Sequence, residues 1–379
     1  MGGEERRTWY DVLAAARDGG GRAASHCGRI ERERLEPKEQ AMSGVRRREA
    51  LFGLGALAAS AAFMRGGAAA VQPAGDKAVM QTKPAEKPQQ GAGFYRFKVG
   101  EVECYSIGDS QARMDPFPLW GENASEEAVA AALRASALPA KQNLMHFNVL
   151  LMKTGNETWL VDAGNGPARA EPGMLMKHLG TLGVKAEDVS GIVLSHLHGD
   201  HFAGLMDKDG KLVFTNAKYF LNATECEFWS RTPDLSKTNL NADWKKGMIE
   251  GAQKTLIALE ASGKLNMVDD GAKLTSGISV KKTGGHTPGH QTVVVESGGK
   301  RFEMLADAVH HYVLSFQHPE WHLHFDYDAK EGARARREVL SRVASDESLV
   351  MCYHTPWPGV GRVIREGDGF AWMPMVWEW

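Results

Sequence analysis

The sequence predicts an α+β fold in which two mixed β-sheets pack face to face with helices on the outside. Three observations carry that prediction. Short β-prone runs come first in pairs and then alternate with helical windows. The second half of the body repeats the element order of the first half. The longest helical windows are amphipathic, so each can cover a sheet with one face and meet water with the other.

Residues 94–99 and 102–107 read as a hairpin around Gly100 and Glu101, and 147–153 and 158–161 as a second one turning at Gly155 and Asn156. Helical spacing marks 126–135 and 174–182. A short apolar strand at 191–195 follows, then a strand at 218–221 that leads into a helix at 223–229. A longer amphipathic helix covers 242–261 and stops at Gly263. Beyond it, 278–283, 291–296 and 302–305 read as strands, 329–344 as an Arg-rich amphipathic helix, 349–352 as a strand and 361–365 as a last strand. These elements form one compact domain over residues 94–379.

The segment before residue 94 reads differently. Residues 1–41 are polar and irregular, as a leader or start-site extension foreign to the mature protein would be. Arg46 and Arg47 then precede an apolar run from Leu51 to Phe63, of a length suited to a signal-peptide core and too short to span a bilayer. Ala68, Ala69 and Ala70 supply a small-residue cleavage pattern. Residues 42–70 therefore resemble a twin-arginine-type signal, which implies a periplasmic or secreted protein beginning near Val71 with no membrane span after processing. Residues 71–93 have no periodicity and read as a disordered linker. The formal net charge is −2, so no basic excess points to nucleic acid. Cys104, Cys226 and Cys352 are widely spaced and form no disulfide framework; Cys27 lies in the leader.

The chemistry concentrates in Ser195-His196-Leu197-His198-Gly199-Asp200-His201, directly after an apolar strand. His196 and His198, two apart, share one side of an extended segment. Asp200 and His201 follow once the chain turns, and Gly199 permits the turn and takes no room beside a metal. Imidazole and carboxylate suit zinc first, with iron, cobalt, nickel or manganese as alternatives. Downstream, His286 stands in Gly284-Gly285-His286-Thr287-Pro288-Gly289-His290, Asp307 at the end of a strand, and His354 at the end of another.

In this order the residues resemble the metallo-β-lactamase superfamily of binuclear hydrolases, over roughly 94–370. The resemblance implies an αββα sandwich. It implies one divalent ion on His196, His198 and His286, a second on Asp200, His201 and His354, and Asp307 bridging them. Asp162 matches the carboxylate that orients a ligand histidine in this superfamily. The expected reaction is attack of a metal-bridging hydroxide on a carbonyl or phosphoryl centre, with Asp200 and Asp307 offsetting charge and steering protons. His310, three residues after Asp307, stands where related lactonases often carry a Tyr that contacts the substrate oxygen. It is the candidate donor to an oxyanion or acid for the leaving group. His290, His318, His322 and His324 read as structural.

The stretches around Phe94, Glu225 to Trp229, and His354 to Val363 look most like the lactonase and methyl parathion hydrolase group. That likeness implies a small-molecule ester or lactone substrate, acyl-homoserine lactones among them. It makes Trp229 and Trp244 candidate walls of the substrate pocket, and a homodimer an expectation, since relatives are often dimers. Two alternatives follow from the same residues. One is an organophosphate triester hydrolase. The other is a mononuclear iron persulfide dioxygenase, which would need only the first ligand set.

Overall fold

The computed structural model describes residues 93–169 and 172–377. The leader and signal expected over 1–70, and all but Gly93 of the linker expected over 71–93, lie outside the described residues.

The first sheet has seven strands in sequence order: β1 (Phe94–Val99), β2 (Val102–Met114), β3 (Asn143–Thr154), β4 (Glu157–Val161), β5 (Gly191–Val193), β6 (Lys218–Asn222) and β7 (Leu265–Val268). β1 to β4 pair antiparallel and β4 to β7 parallel. The second sheet also has seven: β8 (Lys273–Thr275), β9 (Ile278–Lys282), β10 (Gln291–Ser297), β11 (Lys300–Met304), β12 (Leu349–Met351), β13 (Val360–Glu366) and β14 (Gly369–Pro374). Only β11 and β12 pair parallel there. Both sheets are mixed, as the sequence predicts.

One contiguous core joins their facing sides. It holds Phe97, Cys104, Leu150 and Met152 from the first sheet and Val280, Val293, Phe302 and Met351 from the second. Phe97 and Phe302 meet across the interface with ring centroids 5.2 Å apart. Each such side chain, fully buried, stabilises the fold by about 1.5–3 kcal/mol. A second core lies on the outer face of the second sheet, where Val339, Leu340 and Val343 pack on Val350, Val363 and Phe370. The first three come from the amphipathic helix α5 (Ala329–Ser345). The other long helices are α1 (Glu126–Ala135), α2 (Leu175–Thr181), α3 (Ala223–Ser230) and α4 (Ala242–Ala261). Ser125, Asn222, Asn241 and Asp328 cap α1, α3, α4 and α5 by accepting a backbone N–H in the first turn.

The strand pattern differs from expectation at two kinds of place. β2 continues past residue 107 to Met114, because a bulge at Asp109 shifts its register against β3 and the polar residues beyond it still pair. β7, β8 and β14 have no marked apolar alternation. They are edge strands, ordered by a neighbour rather than by their own burial.

Pairing of β11 and β12 leaves Glu303 buried in the second sheet. Arg342 of α5 reaches it with Nη2 2.7 Å from Oε1, and Thr292 Oγ1 donates to the same carboxylate at 2.6 Å. Arg342→Met, which strands a buried carboxylate, is expected to lower unfolding free energy by about 3 kcal/mol. Joint replacement of Glu303 and Arg342 by leucine is expected to recover most of it; urea melts of the two variants check this. Burial pushes the Cys104 thiol up to about 12 and Cys352 higher still. At pH 8 both are therefore expected to resist iodoacetamide in the folded protein and to label fully in urea, read by peptide mass spectrometry.

Candidate metal centre

The candidate ligands sit at one edge of the two sheets, on the segments that leave parallel strands. Asp162 follows β4, Ser195 to His201 follow β5, Asp307 follows β11 and His354 follows β12. His286 lies in the loop before β10, which runs antiparallel to β11 and so starts at the same edge. Asp162 and Ala306 have positive φ, 65° and 47°, an uncommon conformation for residues with a side chain. Such strain collects where a fold must aim a particular group.

Two groups of side chains converge, and a third, Asp307, His310 and His354, overlaps them. In the first, ligand atoms of His196, His198, His286 and Asp307 lie within 4.8 Å of one another; in the second, those of Asp200, His201 and His354 do. His286 Nε2 is 3.2 Å from His196 Nε2, 2.9 Å from His198 Nδ1 and 3.3 Å from Asp307 Oδ2. In the second group Asp200 Oδ2 is 3.4 Å from both His201 Nε2 and His354 Nε2. Asp307 reaches both groups, with Oδ1 3.3 Å from His201 Nε2 and Oδ2 3.2 Å from His354 Nε2. Four donors held about 2.0–2.1 Å from one tetrahedral ion stand about 3.3–3.4 Å apart; the separations in the first group run from 2.9 to 3.8 Å around that value.

Hydrogen bonds on the outer side of the rings fix which nitrogen faces inward. His201 Nδ1 is 2.8 Å from Asp162 Oδ2, His286 Nδ1 is 2.8 Å from Asp326 Oδ1, and His354 Nδ1 is 3.0 Å from the His146 carbonyl. Carboxylates and carbonyls only accept, so Nδ1 carries the proton and Nε2 keeps its lone pair. Ser195 Oγ donates to Asp162 and so accepts from His196 Nδ1 at 3.0 Å. Two buried inward atoms, His201 Nε2 and Asp307 Oδ1, have no hydrogen-bond partner. Unpaired buried acceptors are costly, and a cation between them removes the cost. The donor set and its spacing fit divalent ions.

Electrostatics agree. Burial opposes charge on Asp307, yet the imidazoles of His201, His354 and His310 hold its carboxyl well below the usual range. Burial likewise opposes charge on His201, but Asp307, Asp200 and Asp162 outweigh it and push His201 well above the ordinary value. His196 and His198 are driven well below theirs, by burial first and neighbouring imidazoles next. The edge thus attracts positive charge at His201 and refuses protons at His196 and His198.

His310 Nε2 is 3.1 Å from Asp307 Oδ2, and its ring stacks on His354 with centroids 4.9 Å apart. His311 turns away, its Nδ1 accepting from the Val313 and Leu314 N–H groups. His290 accepts the Asp307 N–H at Nε2, His318 stacks on Trp321, and His324 faces Glu122.

One expectation needs correction. Trp229 is 0 % exposed and packs edge-on to His198 at 6.3 Å, so it backs a ligand ring and lines no open pocket. Its indole N–H must be satisfied inside, and Glu225 accepts it. Gly199 is not among the positive-φ glycines; a Cβ there would instead collide with the Arg169 guanidinium. Trp244 is half exposed and stacks on Phe325 at 5.5 Å.

Several supporting residues escaped the sequence reading. Asp326 joins His286 to the buried Arg336, whose Nη2 is 3.0 Å away. Tyr353 stacks on His201 at 4.0 Å and donates its hydroxyl to the Asp200 carbonyl at 2.7 Å. Asn148 of β3 donates to the Thr355 carbonyl and takes the Tyr353 carbonyl at its N–H, which brackets His354. Asp109 accepts the Asn165 and Leu175 N–H groups and so pins the segment after Asp162. Of these, only Asn148 carries a sequence signal, an amide inside the apolar run from Phe147 to Met152.

The profile of the metallo-beta-lactamase superfamily matches residues 146–354. Among solved structures, the chain is similar to AidC, a dizinc quorum-quenching lactonase in complex with the product N-hexanoyl-L-homoserine. The match has 30 % identity over 76 % of this chain and 98 % of that one, with a TM-score of 0.72. It is also similar to AbOPH, a hydrolase in the beta-lactamase superfamily, with 25 % identity over 76 % and 100 % of the two chains and a TM-score of 0.70. A probable metal-dependent hydrolase from Staphylococcus aureus shares the fold at 18 % identity over 74 % and 99 %, with a TM-score of 0.62. Comparison with curated proteins gives no match. With the seven-plus-seven-stranded sandwich and the two ligand groups at its edge, these findings establish that the chain belongs to the metallo-β-lactamase superfamily.

Proposed function

We propose that the protein is a binuclear, metal-dependent hydrolase of carboxylic esters or lactones, with acyl-homoserine lactones the first substrates to test. One observation carries the binuclear part. Asp307 stands between the two groups, with Oδ2 3.3 Å from His286 of the first and its two oxygens 3.3 and 3.2 Å from His201 and His354 of the second. The similarity to a dizinc lactonase with bound product supports both zinc and the lactone class.

His196, His198, His286 and Asp307 would hold one ion, and Asp200, His201, His354 and Asp307 the other. When bound, two such ions supply a water of lowered pKa and polarise a substrate oxygen. The chain's own residues do the rest. Asp162, Asp326 and the His146 carbonyl hold three rings in the tautomer that presents Nε2. Burial of the ligands excludes competing water. His310, beside Asp307 and not in either four-residue set, would donate to a developing oxyanion or to the leaving oxygen. Export through the signal-like segment 42–70 belongs to the same proposal. Among the described residues, no helix is long and apolar enough to cross a membrane.

Purified protein is expected to hold two divalent equivalents per chain and to hydrolyse lactones or aryl esters in preference to phosphotriesters and persulfides. Chelation should abolish activity, and His198→Ala should lower kcat/KM at least about 1000-fold. One tightly held iron with no hydrolysis, or an active His198→Ala variant, would overturn the reading. His310→Phe is expected to lower kcat about 100-fold while KM changes little. An unchanged kcat would remove His310 from the reaction.

A further inference from the structure

Glu225 is a fully buried carboxylate with no part in the ligand groups. It sits in the first turn of α3, away from both ligand-bearing loops in sequence. Oε1 accepts the Leu197 N–H at 2.9 Å and the Trp229 indole N–H at 2.7 Å. Oε2 accepts the Thr287 hydroxyl at 2.7 Å and the Gly289 N–H at 2.9 Å. Leu197 is the residue between His196 and His198. Thr287 is the residue after His286. A Cβ at Gly289 would collide with the Glu225 backbone, so the second loop approaches closely only because that position is glycine.

We infer that Glu225 is the positioning residue that sets the spacing between the two loops of the first ligand group. The geometry has a chemical reason. A carboxylate offers acceptor sites on both oxygens and no donor, so it can tie donors from two separate loops at once. An isosteric amide cannot: its NH2 end would meet two donors and leave both unpaired. The second group, Asp200, His201 and His354, has no hydrogen bond to Glu225; its rings are anchored by Asp162 and the His146 carbonyl. Losing the clamp should therefore loosen one ion site and spare the other. A purely structural role would weaken both sites alike.

The inference rests on the two-ion reading above, and the test separates the two. Apo-protein is titrated with Zn2+ by chelator competition, and with Co2+ by absorbance. Two backgrounds are used: His354→Ala, which leaves the first group complete, and His286→Ala, which leaves the second. Glu225→Gln is expected to weaken Zn2+ binding about 10–100-fold in the His354→Ala background and by less than about threefold in the other. The Co2+ spectrum should change in the first background alone. Glu227→Gln, on the exposed side of α3, serves as control. Equal weakening in both backgrounds, or none, overturns the inference. If Glu225→Gln does not fold, Thr287→Val removes one of the four bonds, and the same selective loss is expected at smaller size. Unchanged or unselective binding in that variant also overturns it. Failure of the parent protein to bind either ion would overturn the functional reading itself.

Discussion

The rest of the structure depends on one buried carboxylate surrounded by imidazoles. Asp307 has His201, His286, His310 and His354 nitrogens within 3.1–3.3 Å of its oxygens, and His196 at 3.8 Å. Such a concentration of polar groups in a low-dielectric interior is tolerated only when every lone pair and proton has a place. Much of the polar structure around the sheet edge supplies those places. Asp162, Asp326, Ser195 and the His146 carbonyl each take an outward ring proton. His290 takes the Asp307 N–H, so the carboxylate's own backbone is held as well.

This requirement explains why the sandwich is the useful scaffold. The ligands come from loops far apart in sequence, and each leaves or enters a strand locked on both sides by neighbours. β4 with β5, and β11 with β12, run parallel, so their C-terminal ends open at the same edge. The strand ends fix Cα positions, and hydrogen bonds between loops fix the remaining freedom. Asn148 of the first sheet grips the chain on both sides of His354, which leaves the second sheet. The two sheets are therefore joined by polar bonds at the site and by apolar packing through the middle.

What was legible in the sequence divides along the same line. Helices such as 126–135 and 242–261, and strands such as the alternating 94–99 and the buried 191–193, announce themselves by periodicity or by apolar runs. The run from His196 to His201 is legible because metal binding forces unusual residue types into a short stretch. Asp326, Arg336 and Glu225 are not legible in that way. Each supports a ligand from a distant helix or loop, and a single charged residue there looks like ordinary surface until the fold buries it. Trp229 shows the opposite error. An aromatic near a ligand loop suggests a pocket, but its indole N–H found Glu225 and its ring found His198, so it became wall rather than surface.

The supports of the two ligand groups differ in kind from ring to ring. His286 of the first group is backed by Asp326, itself paired with buried Arg336, so a charged chain runs from the ring to α5. His354 of the second group is backed by a backbone carbonyl, which fixes the tautomer without adding a charge. A carboxylate behind an imidazole raises its basicity and so its hold on a metal; a carbonyl does so less. Asp200 of the second group is also the one ligand that keeps appreciable exposure, at 18 % of its side chain. Each group thus has one ring backed by a buried carboxylate, His286 by Asp326 and His201 by Asp162, and the second group opens towards solvent at Asp200.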